Sequence, residues 1–146
     1  MIKAVHQFGA GERIELKIDS DPANLRQVRT SIEEFARGAG LSQEASDEVG
    51  LVINEALANV IRHGYGGATD RPIEVTAAAE TDGVRFTIRD WGKPFDPALV
   101  AKRKTGELKP GGLGLVCIKK LMDEASFSRL PDGMQLTMVK RLAPNR

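Results

Sequence analysis

A carboxylate and a carboxamide stand four residues apart in the stretch from Glu48 to His63, as Glu55 and Asn59. Apolar residues recur there at the three- and four-residue spacings of one stripe, which predicts an amphipathic helix. The stripe consists of Val49, Val52, Ile53, Ala56, Leu57 and Val60. Glu55 and Asn59 lie on its flank, on successive turns. The carboxylate of Glu55 can take a proton and the amide oxygen of Asn59 can bind a hard cation, and both therefore point into the same space. A solvated helix flank would use the same residues.

A second polar segment, Asp90 to Pro97, follows directly on a predicted strand and reads Asp-Trp-Gly-Lys-Pro-Phe-Asp-Pro. The carboxylate of Asp90 at the strand end can accept a hydrogen bond from an amino group such as the exocyclic amine of adenine. Gly92 has no side chain, so a flat ring could approach the backbone there. Taken alone, the segment also fits an ordinary loop after a strand.

A cluster of glycines, Gly111-Gly-Leu-Gly114, opens an apolar helical segment. Unpaired N–H groups and the positive end of the helix dipole make such a start an anion site. No Gly-Lys-Ser/Thr follows, and Cys117 takes the place of the last glycine of a dinucleotide fingerprint, so neither motif is present. The cluster predicts either a phosphate cradle or a flexible loop. The basic run from Lys102 to Lys109 could close over phosphates or remain solvated.

The elements that must position these segments read as strand, two helices, two strands, loop, helix and two strands. We predict strands over 13–18, 72–80, 83–90, 125–130 and 134–140, and helices over 22–38, 42–63 and 111–122. Hairpin-like connections indicate a mostly antiparallel, mixed sheet, and alternating strands need one covered face. Three amphipathic helices supply that cover. The prediction is an α/β (α+β) two-layer sandwich with helices on one face, in one domain spanning 1–146.

Composition excludes several partners. The net charge of +1 creates no global field for nucleic acid or an anionic membrane. The single cysteine, Cys117, lies between two apolar neighbours and is expected to be buried, and no Cys/His spacing suggests zinc. No apolar run approaches the ~20 residues of a membrane span, and the N-terminus lacks a signal-peptide core. We therefore expect a cytoplasmic protein.

Together the three segments resemble the sequence boxes of the GHKL, or Bergerat-fold, ATP-binding domains. Glu55 to Tyr65 resembles the N box, Asp90 to Pro97 the G1 box, and Gly111 to Leu115 the G2 box. The Pro-Phe-Asp-Pro ending, the short lid and the chain length are most similar to one branch, the anti-sigma-factor serine/threonine protein kinases of bacterial partner-switching systems. Three boxes in this order make a strong resemblance over nearly the whole chain.

The resemblance implies a role for each matching residue. Asp90 would accept the adenine amine, Gly92 would give the ring access, and Asn59 would bind Mg²⁺ that bridges the phosphates of ATP. Glu55 would be the general base that takes the proton of a substrate serine. Backbone N–H groups implied to bind phosphate belong to Gly112, Leu113 and Gly114.

The resemblance also implies partners. The substrate would be a serine or threonine of a STAS-type anti-anti-sigma protein, and a kinase homodimer would sequester a sigma factor. His63 and Tyr65 occupy family positions, with His63 expected to be structural. Gly133-Met134 stands where relatives carry Gly-Thr, which puts one polar contact to the nucleotide in doubt.

Two other functions stay open at this point. The chain could be a binding module of the same fold that holds ATP without transferring phosphate, or a structural interaction domain without nucleotide. An ordinary sensor histidine kinase is disfavoured, because we find no phosphoacceptor-histidine helix pair and no transmembrane sensor in the sequence.

Overall fold

Five strands form one sheet in the structure, a computed structural model that describes residues 7–96 and 117–143. The strands are β1 (Arg13–Asp19), β2 (Pro72–Ala79), β3 (Gly83–Asp90), β4 (Glu124–Leu130) and β5 (Gly133–Arg141). Their spatial order is β1-β2-β3-β5-β4, and each neighbouring pair is antiparallel. The predicted antiparallel hairpins are confirmed. Within the described ranges the sheet contains no parallel pair, so its mixed character is not seen there.

Two helices are described in full, α1 (Leu25–Gly38) and α2 (Gln43–Asn59). The predicted cap of α2 is confirmed, because Ser42 Oγ accepts a hydrogen bond of 3.0 Å from the N–H of Ala45. Asp21 caps a short 3₁₀ turn, Pro22–Asn24, that leads into α1. Residues 117–121 form the described part of a third helix. No helix in the described ranges is long and apolar enough to cross a membrane.

The core lies between the helices and one face of the sheet, as a two-layer sandwich requires. All six residues of the predicted stripe, five on α2 and Val60 just after it, are at most 7% exposed. Opposite them, alternate residues of β2 and β3 are at most 1% exposed: Ile73, Val75, Ala77, Val84, Phe86 and Ile88. Ile118 joins this core from the third helix, and Met122 joins it from the position just after the helix. Cys117, expected to be buried, is only half-buried.

The end of α2 differs from the prediction. The apolar periodicity predicts helix through His63, but the last turn, Val60–Gly64, is π-helical. The N–H of Tyr65 bonds the carbonyl of Val60 at 3.0 Å, five residues back. The wider turn rotates His63 and Gly64 away from the line that a regular α-helix would give them. This turn follows directly on Asn59.

Candidate functional site

Asn59 is a buried amide that has no hydrogen-bond partner within residues 7–96 and 117–143. Its side chain is on the last residue of α2 and is 3% exposed. Neither the oxygen nor the nitrogen of the amide has a hydrogen-bond partner among the residues that the structure describes. Buried polar atoms are nearly always satisfied, since leaving one unpaired costs about 1–3 kcal/mol. The free amide therefore points to a ligand at this position.

Asp90 places a carboxylate at the end of β3, where it is also 3% exposed. Its Oδ1 accepts a hydrogen bond of 2.9 Å from the N–H of Gly92. Burial raises the pKa of Asp90, while the backbone N–H groups of Gly92 and Met134 and the charge of Arg89 act to lower it. The ionised form of such a buried carboxylate is stabilised by any further hydrogen-bond donor that a ligand supplies.

Asn59 and Asp90 line the same cavity, which lies between α2, β3 and β5. The cavity is otherwise mostly apolar, with walls from Ala56, Val60, Ile88, Phe95, Ile118, Phe127, Met134 and Leu136. Apolar walls with a few convergent polar groups are the usual composition of a small-molecule site. The volume is about 10 Å³, close to the room that one ordered water needs.

Phe95 and Met134 narrow this cavity. The N–H of Phe95 donates to Met134 Sδ at 3.3 Å. The ring of Phe95 lies 5.6 Å from the ring of His63 and 6.2 Å from that of Phe127, between centroids. A purine ring is far larger than one water, so Phe95 must move before such a ring can lie beside Asp90. Met134, which stands where the resembled family carries threonine, is the residue that accepts the hydrogen bond of Phe95.

Gly92 packs against the π-helical turn. A Cβ at this position would lie 2.5 Å from the carbonyl oxygen of Gly64 and 2.9 Å from the ring of Tyr65. The N–H of Lys93 also donates to the carbonyl of Gly64, at 2.7 Å. The structure therefore gives a packing reason for glycine here. The ring access that we assigned to Gly92 stays a prediction.

Tyr65 connects three parts of the site, a role that the sequence did not reveal. Its hydroxyl donates to the carbonyl of Pro72 at 2.6 Å and accepts from the N–H of Trp91 at 2.8 Å. Burial raises the pKa of Tyr65, so the hydroxyl keeps its proton at neutral pH. The bridge ties the loop after β3 to the start of β2.

Arg89 supports the same loop from the open face of the sheet. Its guanidinium lies 4.4 Å from the centroid of the Trp91 ring, a cation–π contact, and donates to Asp132 at 2.6 Å. It also donates to the backbone carbonyl of Asp90. The strand alternation predicts only that Arg89 faces away from the core, so these contacts were missed.

Glu55 is half-buried one turn before Asn59. It makes no hydrogen bond or ion pair with any residue in 7–96 or 117–143, so its carboxylate is available. The predicted phosphate-binding residues Gly112, Leu113 and Gly114 lie outside the described residues, as does the basic run before them.

A family profile matches most of this chain. The profile of the histidine kinase-like ATPase domain covers residues 18–140, a span that includes Glu55, Asn59 and Asp90. The chain belongs to this family. The resemblance to GHKL ATP-binding domains is thereby confirmed, and an ATPase domain of this kind implies ATP binding.

Individual relatives show which kind of protein within the family this chain is similar to. The chain is 27% identical over 139 residues to the serine-protein kinase RsbW of Oceanobacillus iheyensis, covering 89% of this chain and 87% of that protein. It is 28% identical over 137 residues to RsbW of Listeria monocytogenes, covering 88% and 87%. Curated relatives are thus similar over nearly their whole length.

Solved structures share the fold. A structure of the RsbU and RsbW domains of a Mycobacterium tuberculosis protein has a TM-score of 0.67 at 22% identity, over 90% of this chain and 32% of that one. The catalytic domain of histidine kinase ThkA has a TM-score of 0.55 at 15% identity, over 90% and 99%. At these identities the likeness establishes the fold alone.

Proposed function

We propose that this protein is an ATP-dependent serine/threonine kinase that acts as an anti-sigma factor in a partner-switching system. The observation that carries the proposal is the shared cavity of Asn59 and Asp90, two buried polar groups at positions that match the family's N and G1 boxes. The similarity to proteins named serine-protein kinase RsbW supports the kinase and anti-sigma parts.

The chemistry of the cavity fits adenine. Asp90 offers a carboxylate acceptor for the exocyclic amine, and Ile88 and Leu136 offer apolar surface for the ring. A hydrogen bond to an ionised acceptor in an apolar site discriminates well, because a ring without the amine leaves the buried charge unpaired. The ATP-binding role of the cavity therefore depends chiefly on Asp90.

Asn59 fits the metal that accompanies ATP. Mg²⁺ prefers oxygen ligands, and the amide oxygen of Asn59 is buried without a partner among the described residues. When bound there, Mg²⁺ would neutralise charge on the phosphates. The residues of this chain that would hold the phosphates themselves are the backbone N–H groups of Gly112, Leu113 and Gly114, by family resemblance.

Glu55 is the proposed general base. It stands one turn from Asn59 on the same line of α2, and no ion pair in the described structure fixes its carboxylate elsewhere. It would take the proton of the substrate hydroxyl as that oxygen attacks the γ-phosphate. Most of the rate gain in such transfers comes from positioning and charge neutralisation, so the base adds a smaller factor, roughly 10²–10⁴.

The partners follow from the same resemblance. The substrate is a serine or threonine of a STAS-type anti-anti-sigma protein, and the sequestered partner is a sigma factor bound by a kinase homodimer in the cytoplasm. The whole chain, 1–146, forms one such kinase domain. The genes adjacent to this one would supply the candidate substrates to assay.

The decisive experiment compares two carboxylates on the same flank of α2. Glu55→Gln and Glu48→Gln are assayed with radiolabelled ATP and each STAS-domain protein of the source genome, and ATP binding is measured by calorimetry. Glu48 pairs with Lys140 at 3.3 Å and serves as the matched control. We expect Glu55→Gln to bind ATP and to transfer phosphate roughly 10²- to 10⁴-fold more slowly than wild type, and Glu48→Gln to bind and transfer like wild type.

Three outcomes would change the proposal. Transfer by Glu55→Gln at the wild-type rate removes Glu55 from the mechanism. A wild type that binds ATP and phosphorylates none of the candidates favours a binding module. A wild type that does not bind ATP at millimolar concentration favours a structural interaction domain.

A further inference from the structure

Lys140 occupies a position on β5 that otherwise belongs to the core. It lies two residues after Met138 and four after Leu136, on the face of the strand that the helices cover. Its partner on the neighbouring strand is Val84, which is fully buried. The Lys140 side chain is 14% exposed. Burying an ammonium group costs free energy unless other groups pair with it, so the partners of Lys140 indicate its role.

Two helices supply the partners of Lys140. Its Nζ donates to the backbone carbonyl of Leu121 at 2.5 Å and to Glu48 Oε1 at 3.3 Å. Leu121 is the last residue of the third helix, and the last four carbonyls of a helix have no partner within it. A positive group at this end is also stabilised by the negative end of the helix dipole. Lys140 therefore connects β5, α2 and the third helix through one atom.

The third helix extends from this connection to the cavity. Ile118 lies one turn before Leu121, is 1% exposed and lines the cavity together with Asn59. The N–H of Met122 donates to the carbonyl of Ile118 at 3.1 Å, so the backbone between them forms a closed helical turn. Because such a turn moves as one body, a shift at Leu121 also moves Ile118.

We propose that Lys140 is a positioning residue for the nucleotide site. By holding Leu121, it fixes the third helix against α2 and β5 and so determines where Ile118 lies in the wall of the cavity. Lys140 is not among the described residues that line the cavity, so it acts through the helix. The inference rests on the proposed function, because it takes the cavity to be the site of the nucleotide.

Stability alone is a weak reason for this lysine. A buried ion pair often contributes little, because the loss of hydration offsets the attraction between the charges. Methionine is also long and unbranched but has no charge. Glu48 is 33% exposed, so its carboxylate can turn to water when the ammonium is removed. We therefore expect Lys140→Met to fold without the hydrogen bond that holds the carbonyl of Leu121.

Hydrogen exchange without nucleotide tests the connection by itself. Lys140→Met should exchange the amide protons of residues 117–122 faster than wild type. The matched control is Lys120→Met, which removes the same charge from an exposed position on the same helix and should leave this exchange unchanged. Glu48→Gln keeps an oxygen that can accept from Lys140 and should also behave like wild type. Equal exchange in Lys140→Met and wild type would overturn the proposal, whether or not the protein binds nucleotide.

Nucleotide affinity tests the effect on the site. In titration calorimetry with Mg²⁺ and a non-hydrolysable ATP analogue, Lys140→Met should bind roughly 2- to 30-fold more weakly than wild type. Lys120→Met should bind like wild type. A role in stability alone would lower the urea midpoint of Lys140→Met and leave the affinity of the folded protein unchanged, and that result would overturn the proposal.

A double variant tests the route through Ile118. Ile118→Ala should weaken binding by itself, and adding Lys140→Met should weaken it little further, because the side chain that Lys140 positions is already gone. Ile118→Val replaces it if the alanine variant does not fold. Losses that add fully in the double variant would overturn the proposal. A wild type that binds no analogue at millimolar concentration overturns the proposed function and this role with it, whereas equal binding by wild type and Lys140→Met overturns this role alone.

Discussion

Substitution of Asp90 by asparagine should separate the binding role of this residue from its cost to the fold. The side chain keeps its size and an oxygen that can accept from Gly92, so the change removes chiefly the charge. A hydrogen bond to a charged acceptor contributes about 1.5–3 kcal/mol. Its loss to the adenine amine should weaken ATP binding roughly 10- to 100-fold at pH 7. Titration calorimetry with Mg-ATP measures this directly.

The same variant should change how stability depends on pH. Burial raises the pKa of Asp90 above its ordinary value of 3.8, so the folded protein holds this proton more tightly than the unfolded chain. Stability from this group is therefore full at acidic pH and is lost as the pH rises from about 3.8 through the raised pKa. Asparagine does not titrate. Relative to wild type, the unfolding free energy of Asp90→Asn should thus rise between pH 4 and pH 7.

A neighbouring carboxylate supplies the control for both measurements. Asp132 also contacts the guanidinium of Arg89, at 2.6 Å, but its side chain is 63% exposed. An exposed ion pair contributes little, so Asp132→Asn should change neither ATP affinity nor the pH profile appreciably. Equal ATP affinity of Asp90→Asn and wild type would refute the adenine contact. If the difference in stability between Asp90→Asn and wild type did not depend on pH, the claim that burial raises the pKa of Asp90 would be refuted.

Three further predictions concern the walls of the site. Gly92→Ala places a methyl group 2.5 Å from the carbonyl oxygen of Gly64. It should lower the free energy of unfolding, measured with urea, by about 1–3 kcal/mol. A Cβ at Gly64 would lie 3.8 Å from its nearest neighbour, so Gly64→Ala should lower the free energy of unfolding clearly less. Equal losses from the two variants would argue against the close contact at Gly92. Tyr65→Phe deletes two hydrogen bonds and should cost about 1–3 kcal/mol, which an unchanged melting curve would contradict. Phe95→Ala opens the cavity and should speed ATP-analogue association in stopped flow, and an unchanged rate would show that Phe95 does not limit entry.

Local periodicity and capping residues predicted most of the fold. The stripe on α2 is buried as expected, Ser42 caps that helix, and the final hairpin occupies nearly the predicted residues. These features depend on neighbours within a few residues along the chain, which a sequence displays. The helix-covered antiparallel sheet followed from them, because alternating strands need one covered face.

Contacts between distant segments were not predictable in the same way. The π-helical turn, the approach of Gly92 to Gly64 and the bridge made by Tyr65 each join residues that only the folded chain brings together. The family resemblance placed Asn59 and Asp90 in one site, and the structure puts both in one cavity. It did not anticipate that Phe95 and Met134 would narrow that cavity, since side-chain packing has no signature in sequence spacing.

The central claim is that a purine nucleotide binds in the cavity that Asp90 and Asn59 line. A crystal structure with Mg²⁺ and a non-hydrolysable ATP analogue tests it most directly. We expect the adenine amine within hydrogen-bonding distance of the Asp90 carboxylate, with Phe95 displaced from its present position. An analogue bound elsewhere, with Phe95 and Met134 still occupying the cavity, would contradict the account.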